Sequence, residues 1–187
     1  MNKVRQNPYF LHPSTIYVSP DSKWVVTILG SCVSVCFFDT KRNIGGINHY
    51  MTPYWNGDGL ESPKYGNVSI LQLFQKMLDF GAKKEDIVCK IFGGAEVLSE
   101  QLSVFNVGQR NIEFAYKMVA ELGISVLSSS TGGKQGRKIY FNTGTGEVLQ
   151  KYLVKNNSNL EDLCIIRKTY IEFTAKISCS VHQQKRS

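Results

Sequence analysis

The 187-residue chain has no apolar run approaching the roughly 20 residues that a membrane-spanning helix needs. Its first eight residues, Met1 to Pro8, carry no apolar signal core with a small-residue cleavage site behind it. Membrane insertion is therefore not expected, and a cytoplasmic location is. Histidine is scarce, at three residues (His12, His49 and His182). No further C-x-x-C or H-x-x-x-H pair completes a tetrahedron around Cys32, Cys36 and His49, which argues against a zinc site. No Gly-Lys-Ser/Thr ending follows the glycine pairs Gly93-Gly94 and Gly132-Gly133, so phosphate binding of the P-loop kind is excluded and tight turns are expected instead. The five cysteines are an odd number in a chain too long to need disulfide staples, and reduced thiols are expected.

Apolar residues make up 42% and charged residues 20%, enough to bury one substantial core. The net charge of +7 could point to a nucleic acid. The basic residues form no stripe interleaved with aromatics, however, and residues 151–187 hold seven of them against three acidic ones. That surplus reads as solubility and weak steering toward acidic partners, with no nucleic-acid partner expected.

Trp24 to Leu29 and Val33 to Phe38 are rich in β-branched and aromatic residues, and the pattern predicts two strands meeting at a tight Gly30-Ser31 turn with Cys32 just after it. A third strand is predicted from Ile44 to Met51, closed by Pro53, with His49 near its end. Ile70, Leu71, Phe74, Met77 and Leu78 predict an amphipathic helix capped by Asn67 and stopped at Gly81. Ile112, Ala115, Val119 and Leu122 predict another, with Asn111 in front and Gly123 behind. Short apolar runs follow each helix, at Ile87 to Phe92 and Ile124 to Leu127, which implies a mixed α/β arrangement. Lys138 to Thr143 and Glu147 to Leu153 read as a hairpin. A polar linker then leads to Ile171 to Cys179, whose strict alternation predicts a half-buried strand. The expected organisation is one domain over 1–155, with 156–187 as linker and added edge strand.

A cysteine nucleophile needs a proton acceptor and backbone donors aimed at the developing oxyanion. Gly30 and Ser31 put little bulk beside Cys32 and leave N–H groups open for such a hole, and His49 returns seventeen residues later on a strand that can lie beside the one starting at Val33. By composition alone, an inert buried thiol is the commoner reading of Cys32, and His12 and His182 need no functional account.

Leu-Gly-Ser-Cys-Val-Ser-Val-Cys (Leu29 to Cys36), followed by Gly-Gly-Ile-Asn-His-Tyr-Met-Thr-Pro (Gly45 to Pro53), resembles the CheD family of bacterial chemoreceptor glutamine deamidases. Lys64-Tyr65, Phe92-Gly93-Gly94-Ala95, Val107-Gly108-Gln109-Arg110-Asn111 and the run from Gly132-Gly133 to Arg137-Lys138 match in the same order, so the resemblance covers roughly residues 15 to 155.

The resemblance implies an α+β fold, a layered α/β/β/α sandwich with mixed sheets, shared with cysteine deamidase domains of certain bacterial toxins. It implies that Cys32 attacks the carboxamide carbon of a protein glutamine, that His49 protonates the departing ammonia, and that water hydrolyses the thioester to leave glutamate. Glutamyl methyl esters would be open to the same chemistry. The family's third member is a threonine shortly before the cysteine, for which Thr27 is the candidate. A shift of one position would place Val26 there and turn the side chain to the other face, and strand propensity alone would also account for Thr27. Phe92, Gly93, Gly94, Arg110, Gly132, Gly133 and Arg137 are expected on loops supporting the site, with a merely solvated surface position equally open for Arg110 and Arg137. Ser130 stands where an acidic partner for Arg137 is expected.

The implied substrate is the cytoplasmic helical bundle of a methyl-accepting chemoreceptor, the implied partner a CheC-type phosphatase, and the implied state a monomer with no cofactor. Two other readings stay open: an adaptor that binds receptors and the phosphatase, and a deamidase acting on a different protein.

Overall fold

A computed structural model describes residues 7–96 and 106–153. The linker, the strand predicted over Ile171 to Cys179 and His182 fall outside them. In chain order the elements are β1 (Tyr9–Phe10), β2 (Thr15–Ser19), β3 (Trp24–Leu29), β4 (Val33–Asp39), β5 (Ile44–His49), α1 (Gly66–Asp79), β6 (Ile87–Gly93), α2 (Val107–Glu121), β7 (Ser125–Thr131), β8 (Arg137–Asn142) and β9 (Val148–Tyr152), with a 3-10 turn at Lys84–Asp86.

The strands form a four-stranded sheet in the order β1-β3-β8-β9 and a five-stranded sheet in the order β2-β5-β4-β6-β7. Both are mixed: β1 runs parallel to β3 and β7 parallel to β6, and the other pairings are antiparallel. The helices share one face of the five-stranded sheet. Ile70, Leu73 and Met77 of α1 and Ile112, Ala115 and Val119 of α2 close a core over Val33, Val35 and Phe37. A second core lies between the sheets, where Cys36, Ile47 and Phe92 meet Val25, Leu29, Ile139 and Phe141. The described residues thus supply helix, sheet and sheet, three of the four layers of the expected sandwich.

β4 serves both cores, Val33, Val35 and Phe37 toward the helices and Cys36 toward the other sheet, so every one of its residues is buried. Full burial of a side chain such as Phe37 stabilises the fold by roughly 1.5–3 kcal/mol. The β4–β5 turn is fixed by Asp39, whose carboxylate accepts main-chain N–H bonds from Lys41, Arg42 and Lys83 and a bond from the Arg42 guanidinium. Burial opposes the charge on Asp39, yet these donors outweigh it and hold its pKa below the ordinary value.

Two predicted features are corrected. β3 and β4 do not form a hairpin: β3 pairs with β1 and β8, β4 with β5 and β6, and Gly30-Ser31-Cys32 carries the chain from one sheet to the other. Both helices also start before their expected caps. Asn67 lies inside α1 and bonds Trp55 at both ends of its amide (2.9 and 3.3 Å), fastening the loop that follows β5. Asn111 lies in the second turn of α2, completely buried. The apolar period marks only the part of a helix that faces a core, and here the first turn of each helix contributes a glycine, Gly66 or Gly108, to a close approach instead.

Candidate active site

β3 leaves the four-stranded sheet at Leu29, and all three carbonyls of the crossing segment are held by donors from other elements. Gly30 O accepts the Ala95 N–H at 2.8 Å, Ser31 O accepts Asn111 Nδ2–H at 2.9 Å, and Cys32 O accepts the Gly94 N–H at 2.8 Å. The Cys32 side chain, partly buried, packs against the core between the sheets. Gly93 makes this docking possible. Its φ of +112° suits glycine, and a methyl group there would overlap the Cys32 carbonyl oxygen. Gly94, at φ +70°, likewise leaves room only for Ile112 and the Gly108 carbonyl. Gly93→Ala is expected to cost at least about 1–3 kcal/mol from backbone strain alone. Thermal denaturation would check this, an unchanged melting temperature contradicting it.

His49 enters from the next strand. Val33 and Tyr50 exchange two main-chain hydrogen bonds of 3.1 Å, which sets Cys32 and His49 on the same face in diagonal positions, a spacing that side chains can bridge. Asn48 parts the ladder beside them, its Oδ1 taking the Val35 N–H at 2.7 Å. The sheet face bearing Cys32 and His49 looks toward β3, from which the completely buried Thr27 reaches across. Thr27 Oγ1 stands 2.8 Å from His49 Nδ1 and 2.9 Å from the Leu11 carbonyl oxygen. Val26, the neighbouring position, points to the other face of its sheet.

These contacts settle the imidazole tautomer. The Leu11 carbonyl can only accept, so the single Thr27 hydroxyl proton goes to it, and Thr27 Oγ1 in turn accepts a bond from Nδ1–H. In the neutral ring Nε2 then carries the lone pair, and among the described residues it has no hydrogen-bond partner although it is buried. No hydrogen bond joins it to the sulfur in this state, as is common before substrate tightens such contacts. Burial pushes the His49 pKa down to about 4. Burial also raises the Cys32 thiol, with its own backbone N–H pulling the other way. At neutral pH the pair is therefore uncharged: an imidazole able to accept a proton beside a thiol able to give one.

The remaining candidates fall around this centre unevenly. Phe92 is buried in the core that Cys32 packs against. Gly132 N–H bonds Gly93 O at 2.9 Å, and Gly133 O accepts the Glu96 N–H at 2.8 Å, so this glycine pair braces the loop after β6. Arg137 is almost fully buried and has a serine in place of the expected acidic partner. Its guanidinium donates to the Ser130 carbonyl, to Ser130 Oγ at 3.0 Å and to the Gly132 carbonyl, with Tyr152 stacked at 5.4 Å. Arg110 is exposed on α2, with no side-chain hydrogen bond among the described residues. Sequence reasoning missed Leu11, whose carbonyl fixes Thr27, and took Asn111 for a helix cap. No grouping of three His, Cys, Asp or Glu side chains able to hold a metal occurs among the described residues.

Known proteins resemble this chain over most of its length. The family described as CheD chemotactic sensory transduction matches residues 51–152. A protein of Trichlorobacter lovleyi named "Probable chemoreceptor glutamine deamidase CheD" is 45% identical over 141 residues, 75% of this chain and 88% of its own length. A Sulfurimonas denitrificans protein of the same name is 41% identical over 148 residues, 78% of this chain and 94% of its own. A third, from Halorhodospira halophila, is 35% identical over 155 residues, 79% and 70% of the two chains. With a family match across more than half its length and relatives aligned over most of theirs, the chain belongs to the CheD family.

Proposed function

We propose that the protein deamidates glutamine side chains of a chemoreceptor, through a thioester on Cys32. The observation that carries this reading is the Thr27–His49 contact, which leaves a buried Nε2 lone pair, without a partner among the described residues, on the face that also bears Cys32. The sulfur forms a bond to the carboxamide carbon as its proton passes to Nε2 of His49. The oxygen, now negative, is met by the N–H groups of Ser31 and Cys32, which have no main-chain acceptor among the described residues. His49 returns the proton to the nitrogen, the C–N bond breaks, and ammonia leaves. Water, losing a proton to His49, then attacks the thioester. Glutamate and the free thiol result.

Thr27 is assigned to hold the imidazole in the Nδ1–H form. Thr27→Val removes the acceptor of that proton and leaves the Leu11 carbonyl unpaired. It should lower kcat about 10–100-fold, by analogy with partners that orient a functional histidine, and cost roughly 1–3 kcal/mol of stability. Thr27→Ser should retain most of the activity. Steady-state ammonia release and denaturant titration of both variants would check this, equal kcat in Thr27→Val and the parent being the adverse result.

The direct test is incubation with a purified chemoreceptor cytoplasmic fragment and mass spectrometry of its peptides. A gain of about one dalton at a glutamine is expected, the amide replaced by acid through the acyl-enzyme. A fragment left unchanged while active relatives convert it would overturn the reading.

A further inference from the structure

We infer that Asn111 is a positioning residue for the oxyanion-binding N–H groups, an inference that rests on the reaction proposed above. Its side chain is completely buried, and its amide nitrogen spans two segments far apart in sequence, donating to Ser31 O at 2.9 Å and to Met51 O at 3.0 Å. Those carbonyls belong to the residue before the nucleophile and to the residue two places after His49. The main chain of Asn111 is used as well: its carbonyl accepts the Tyr50 hydroxyl at 2.5 Å, and Tyr50 is the residue doubly bonded to Val33. One helical residue therefore ties together the two strand ends that carry the thiol and the imidazole.

The consequence follows from the geometry of the peptide unit. A trans peptide is planar, with its C=O and the next N–H pointing in opposite directions. Pinning Ser31 O toward α2 turns the Cys32 N–H away from α2, toward the side on which the sulfur lies. The carbonyls on either side, Gly30 O and Cys32 O, are fixed by main-chain donors from the loop after β6, so the Ser31–Cys32 plane is the one whose orientation is set by a side chain. Without the Asn111 amide that plane is free to rotate, and the donor would no longer be fixed where negative charge develops. The side-chain Oδ1, buried and without a partner among the described residues, contributes no competing anchor.

The test separates oxyanion stabilisation from thiol placement. Asn111→Ala should lower kcat for glutamine deamidation by about 100-fold, the scale of losing one preorganised oxyanion donor, with KM little changed. Alkylation of Cys32 by iodoacetamide, which needs the sulfur but builds no oxyanion, should stay within about threefold of the parent. Should Asn111→Ala not fold, Asn111→Ser, able to give one hydrogen bond, should fold and lose about tenfold in kcat. A kcat within threefold of the parent in whichever variant folds, or a parallel fall in kcat and alkylation rate, would overturn the inference. Cys32→Ala run alongside keeps the two levels apart: ammonia release surviving in Cys32→Ala would bring down the underlying reaction, whereas an inactive Cys32→Ala with a fully active Asn111 variant would remove only the role given to Asn111.

Discussion

Cys32→Ala should release no measurable ammonia, a loss of at least about 10⁴-fold in kcat, because removing the nucleophile leaves only binding and electrostatic stabilisation. The fold should survive. The side chain is half-buried, and its carbonyl rather than its sulfur makes the structural bond, to Gly94 N–H at 2.8 Å. Near-parental melting together with retained binding to a receptor fragment would show that turnover and recognition are separable. Deamidation persisting in this variant at more than a thousandth of the parent rate would remove Cys32 from the mechanism.

His49→Ala should cost a further large factor, about 10³-fold in kcat/KM at pH 7, at the middle of the range for a positioned acid–base group. It should also change the shape of the pH profile. In the parent His49 titrates near 4, lowered by burial, so activity should hold down through pH 6.5 and fall only as the pH approaches 4. In the variant the thiol must ionise unaided, and burial has raised it, so residual activity should climb steadily as the pH rises above 8. The same histidine makes stability depend on pH. Unfolded, it takes up a proton near its ordinary value of about 6.5, while folded it resists until about 4, so the unfolded chain binds more protons across that window. Stability is full above about 6.5 and declines toward 4, by roughly 3 kcal/mol in total. An acid limb for kcat/KM near 6.5, or urea midpoints unchanged between pH 7 and pH 4.5, would contradict this.

Local elements were legible because their signals are local. β3 and β4 emerged from β-branched and aromatic runs, β6 from the apolar run that follows a helix, and the β8–β9 hairpin from its glycines. What escaped was anything decided by distant partners. Nothing in Leu29-Gly30-Ser31-Cys32 says that the chain changes sheets there, since a tight small-residue turn and a crossing look alike in sequence. β4 is legible as a strand from its β-branched run, yet with both faces buried no alternation tells which core each residue serves, and β1, two residues long, is too short to give a pattern. Cys32 and His49 could be singled out from seventeen-residue spacing and a familiar motif. Asn111 bonds residues 80 and 60 positions away, and only the folded chain shows that its amide is a clamp rather than a cap. Thr27 against Val26 was a question of which way one strand faces, and the pairing of Thr27 with Ile139 settles that face.

The Thr27–His49 contact joins one sheet to the other, with Cys32, the proposed nucleophile, on the span between them. The proposed chemistry is thus a readout of how the two layers are aligned, and a small shear would part His49 from the Thr27 hydroxyl while leaving each ladder of strands whole. A compact acid form that keeps its far-ultraviolet dichroism but loses fixed tertiary packing should accordingly be inert; turnover by such a form would show that the alignment is not what matters.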